Sequence, residues 1–84
     1  MTVEKIKKYL GPRPAIFCYS FLYDRIHRGT FPTVRSIKEF LRKVIKHDES
    51  LLEDLGLPYY QYEERHEDWV KQAKEIFLFI ENEE

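Results

Sequence analysis

Eighty-four residues make one small domain with no room for a second. With 43% apolar and 15% aromatic residues the chain can fill a thin core, which excludes a disordered tail, while a lone cysteine, Cys18, excludes an internal disulfide. Behind a net charge of -1 lies a division: Met1 to His47 carries eleven Lys and Arg against three Asp and Glu, a net of +8, and Asp48 to Glu84 carries three against twelve, a net of -9.

In chain order, Thr2 caps a short helix that runs to Leu10 with Val3, Ile6, Tyr9 and Leu10 as its apolar positions, although Lys5 stands where a capping acid is usual. Gly11 ends it, reinforced by Pro12. Pro14 fits the first turn of a second helix extending to His27 or Arg28 and closed by Gly29. Its apolar residues, from Ala15 through Ile26, cover nearly the whole circumference, which predicts a central position.

Thr33 caps a third helix with Val34, Ile37, Phe40, Leu41, Val44 and Ile45 at helical spacing. On its other side Arg35, Lys38, Arg42 and Lys46 form one stripe flanked by Lys43, the pattern of a basic amphipathic helix. Asp48 to Leu57 reads as a short helix or turn closed by Gly56 and Pro58. After the connector "PYYQYEE" the last helix spans about Tyr62 to Glu81, with Trp69, Ala73, Ile76, Phe77 and Ile80 on one face. Period-2 alternation and hairpin dipeptides are lacking. The expected fold is all-α: a small bundle of four or five short helices, with a helix-turn-helix-like arrangement in the N-terminal half.

The stretch "RGTFPTVRSIKEFL" resembles the lead-in to the second helix of winged-helix repressors of the LexA type, in which a Gly, an aromatic, a Pro and then Thr-Val-Arg-x-Ile precede the recognition helix. The resemblance covers Gly29 to Leu41 and the helix before it. In that family the next helix enters the major groove and a β-wing follows. Here the corresponding segment, "HDESLLEDLGL", is acidic and no pair of strands follows it. What the resemblance implies is therefore a helix-turn-helix scaffold and a nucleic-acid partner, without the elements that read bases.

The basic stripe points the same way, because each Lys or Arg that meets a phosphate releases condensed counterions. Arg28, Arg35, Lys38, Arg42, Lys43 and Lys46 are the expected phosphate contacts, with Arg25 and His27 as possible additions. Two other outcomes are open: the acidic last helix, through Glu64, Glu67, Asp68 and Glu75, lies across the stripe and neutralises it, or the stripe meets an acidic protein. Tyr59, Tyr60, Tyr62 and Trp69 offer an aromatic contact patch for a protein partner, or pack a loop and anchor the core.

Chemistry finds little footing. His27, His47, His66 and Cys18 lack zinc spacing, and Glu63 with His66 supplies one Glu-x-x-His where a di-iron bundle needs two and further glutamates. No phosphate-binding loop or nucleophile set is legible, so neither an enzyme nor a cofactor is expected. Apolar runs such as Ala15 to Tyr19 are too short for a membrane span or a signal segment, so no membrane and a cytoplasmic location are expected. One Asn, two Gln, one Cys and one Met beside many charges resemble a thermophile's usage. The expectation is a nucleic-acid-associated regulatory or accessory domain. Its rival is a protein-protein adaptor or homodimerising helical domain.

Overall fold

The computed structural model describes residues 1–11, 17–46 and 64–83, whose regular secondary structure is helical with no strand among them. In chain order they form α1 (Val3–Leu10), α2 (Phe17–His27), α3 (Val34–Lys46) and α4 (His66–Glu83), a small all-α bundle. The expected element at Asp48 to Leu57 and the connector after it lie outside the described residues, as do Pro12 and Pro14.

The helix ends follow local backbone chemistry. Thr2 Oγ1 accepts from the Lys5 N–H at 3.2 Å, so α1 is capped at its N3 position even without an acid there. At Gly11, with φ +62°, the N–H bonds back to the Lys7 carbonyl at 3.1 Å. Helix α2 ends in a Schellman pair. Thr30 N–H reaches the Arg25 carbonyl at 2.9 Å and Gly29 N–H the Ile26 carbonyl at 3.0 Å, with Gly29 at φ +82°.

A reciprocal cap opens α3. Ser36 N–H donates to Thr33 Oγ1 at 3.1 Å, and Thr33 N–H donates to Ser36 Oγ at 3.2 Å. This is the capping-box arrangement with Ser in place of the usual Glu or Gln. Helix α4 runs two residues past the expected end at Glu81, with the Trp69 N–H bonded to the Arg65 carbonyl at 3.0 Å, and its expected start near Tyr62 lies outside the described residues.

Ile6 and Leu10 of α1, Cys18 and Leu22 of α2, Ile37, Leu41 and Val44 of α3, and Ala73, Ile76 and Ile80 of α4 are fully buried. Each set recurs at steps of three, four or seven residues, so one stripe per helix faces one core. Helix α4 packs on both α3 and α2, and α2 on α1. The central position expected of α2 is thus shared with α4.

Two aromatic clusters knit the layers. Phe31, Phe40, Phe21 and Trp69 run in sequence from the α2–α3 turn to α4, with centroid separations of 5.1, 5.5 and 5.5 Å. Tyr9 stacks on Phe79 at 3.9 Å and tilts against Tyr19 at 6.1 Å, tying α1 to α4 and α2. Across the bundle, Gln72 Oε1 accepts the Cys18 N–H at 2.8 Å. A backbone amide at the described start of α2 is thus bonded by a side chain of α4.

Candidate functional site

Helix α3 presents its cations in two directions. Arg35, Arg42 and Lys46 stand opposite the buried stripe of Ile37, Phe40, Leu41 and Val44 and are exposed. Spacings of seven and four residues place them along one line about 16 Å long. Arg35, with a side chain 89% exposed, is paired only loosely with Glu39 of the same helix at 3.3 Å. Arg42 rests its guanidinium 5.4 Å from the centre of the Phe77 ring, which positions its stem while the residue stays exposed.

Lys38 departs from this row. Its side chain is only 16% exposed, and its Nζ meets Glu81 Oε1 of α4 at 3.1 Å and lies 5.6 Å from the Phe77 ring. The residue is part of the α3–α4 contact. Lys38, expected among the phosphate contacts, has its charge paired with Glu81 within the fold. The carboxylates expected to cross the stripe, Glu67, Asp68 and Glu75 of α4 and Glu64 just before it, are exposed, and the α4 carboxylate bonded to Lys38 is that of Glu81.

Lys43 is half-buried and borders a shallow depression of about 280 Å³ with Thr30, Phe31, Ser36, Glu39 and Phe40. Arg28 belongs to the end of α2, where its Nε holds Asp24 one turn back at 3.1 Å. Trp69 is 3% exposed and edge-on to Phe21, so it is a core anchor that leaves almost no surface for a partner. Tyr59, Tyr60, Tyr62 and Glu63 lie outside the described residues.

A second basic feature was not singled out in the sequence. Lys5, Lys7 and Lys8 of α1 line a cleft of about 590 Å³ with Glu4, Gly11 and Tyr23. Lys7 Nζ donates to His27 Nδ1 at 3.2 Å and lies 5.5 Å from the Tyr23 ring. Lys5 reaches the far end of the chain, 2.9 Å from Glu83 Oε2, and this hydrogen bond holds the Glu83 carboxyl below the ordinary glutamate range. The only signal in the sequence was the run of lysines in an eight-residue helix.

Burial pushes the Cys18 thiol well up, so it stays a neutral core atom with no nucleophilic or metal-binding tendency. Among the described residues no group of three or more His, Cys, Asp or Glu could hold a metal ion, and no helix is long and apolar enough to cross a membrane. No protein-family model, curated protein or solved structure matches the chain.

Proposed function

We propose that this domain binds nucleic acid through the phosphate backbone, as a regulatory or accessory protein, using the outer face of α3. The observation that carries the reading is the exposed line of Arg35, Arg42 and Lys46, which points away from the core and which α4 leaves uncovered. Phosphate contacts position a protein without specifying sequence. The reading therefore includes no base recognition.

The test is affinity for generic duplex DNA and for single-stranded RNA across a salt series. An Arg35→Ala, Arg42→Ala, Lys46→Ala variant removes three phosphate contacts, so its duplex salt slope should be shallower by about 2 to 3. Lys38→Ala, made at the internally engaged cation, should leave that slope nearly unchanged. Absence of binding by the wild type at low salt would end the proposal. A protein partner is the second reading, favoured by the acidic outer face of α4 and its exposed Leu78.

A further inference from the structure

The outer faces of α3 and α4 carry the same spacing with inverted charge. On α3 the exposed row is Arg35, Glu39, Arg42 and Lys46, at steps of four, three and four. On α4, read from its C-terminal side, the exposed row is Glu75, Lys71, Asp68 and then Glu64, whose backbone is also helical, again at steps of four, three and four. All eight side chains are exposed, each row lying opposite its own helix's buried stripe. Within one chain α3 meets α4 at Lys38, which bonds Glu81, while Arg42 of the row leans on Phe77 and stays exposed. The two outer rows are left facing solvent.

We infer that these rows are the two halves of one interface between copies of this chain, α3 of one copy lying antiparallel on α4 of another. In that register Lys46 meets Glu64, Arg42 meets Asp68 and Arg35 meets Glu75. The one acid in the basic row, Glu39, meets the one base in the acidic row, Lys71. Four contacts are attractive and none is repulsive.

Alternatives fare worse. A parallel arrangement opposes Glu39 to Asp68 and Arg42 to Lys71, two repulsions against two attractions. Sliding the antiparallel pair by one turn in either direction leaves one attraction and two repulsions, because Glu39 and Lys71 then face their own kind. Charge patterns of this sort choose partner, direction and register more than they add affinity. The same register carries Leu78, 60% exposed and the exposed large hydrophobic residue of α4, to the exposed Pro32 beside Phe31 at the start of the partner's α3. That supplies an apolar contact at the end of the row.

The inference does not depend on nucleic-acid binding, and it has a test that separates register from mere attraction of opposite charges. Sedimentation equilibrium is run at about 0.01 M salt, where the Debye length is about 30 Å, and again at about 1 M, where it is about 3 Å. Self-association should be present in the first and lost in the second. Lys71→Glu makes the acidic face more acidic and Glu39→Lys makes the basic face more basic. Unspecific attraction would tighten in both variants, whereas the proposed register predicts that each loosens association roughly tenfold, since an attraction becomes a repulsion.

Combining Glu39→Lys with Lys71→Glu in one chain should restore the wild-type constant to within about threefold, the two changes compensating across the interface. Both positions are solvent-facing, and thermal melts of each variant check that the fold is intact. A monomer at every concentration in low salt, or tighter association in either single variant, would overturn the inference.

Discussion

Gly29 shows how little of this fold's punctuation depends on packing. Its φ of +82° lies in the left-handed region, and a methyl group built on its Cα would meet nothing within 4 Å. The whole cost of Gly29→Ala is therefore conformational, and the variant should lose about 1 kcal/mol of unfolding free energy in a urea titration. Gly29→Asn should lose about half as much, since Asn tolerates this conformation better. Equal stabilities of all three would mean that the α2–α3 turn relaxes to a different closure. Thr2, Gly11, Gly29 and Thr33 were all legible in the sequence because a cap is decided within four residues of backbone. Ser36 was not, since it replaces the Glu or Gln that marks a capping box. Gln72 could not be, because its acceptor oxygen serves an amide 54 positions away.

Among the helices, the last turn of α4 has acids and no base, although a helix C-terminus favours cations. The missing charge arrives from other elements: Lys38 of α3 bonds Glu81, and Lys5 of α1 bonds Glu83. Lys38 and Glu81 form the better-sheltered pair, so a double-mutant cycle with Lys38→Met and Glu81→Gln should give a coupling of about 0.5 to 1 kcal/mol. The Met stem keeps its packing on Phe77 and isolates the charge. A coupling near zero would reduce the pair to a solvated contact.

Glu83 reports on pH. Its carboxyl is held below the ordinary glutamate range by the Lys5 hydrogen bond, so the folded form binds its proton less readily than the unfolded chain does. The stabilisation is present above the ordinary glutamate range and disappears as pH falls through the lowered folded value. The melting temperatures of wild type and Glu83→Gln should accordingly differ at neutral pH and converge in acid. Helix periodicity made each buried stripe legible, but which helix end meets which is a property of tertiary assembly. That is why Glu64, Glu67, Asp68 and Glu75 were the acids weighed for neutralising the α3 stripe, whereas in the structure Glu81 bonds Lys38 of α3 and Glu83 bonds Lys5 of α1.

For the molecule as a whole, a net charge of -1 means that two copies hardly repel each other at long range, so the local pattern of charge governs encounter. Arg35, Arg42 and Lys46 are the phosphate contacts of the proposed function and also half of the proposed interface between copies. One set of side chains cannot occupy both partners, so nucleic acid and self-association should be linked negatively. Titrating a short DNA duplex into the self-associated protein at low salt should lower the number of protein copies per particle, read by sedimentation velocity. The reciprocal effect is required by the same linkage: at fixed duplex, the apparent Kd should rise as protein concentration passes the self-association constant. A complex in which the duplex is bound and the effect of Lys71→Glu on association persists undiminished would show that the two partners use separate faces. Such a result would move the phosphate contacts away from α3 and toward the lysine-lined cleft of α1.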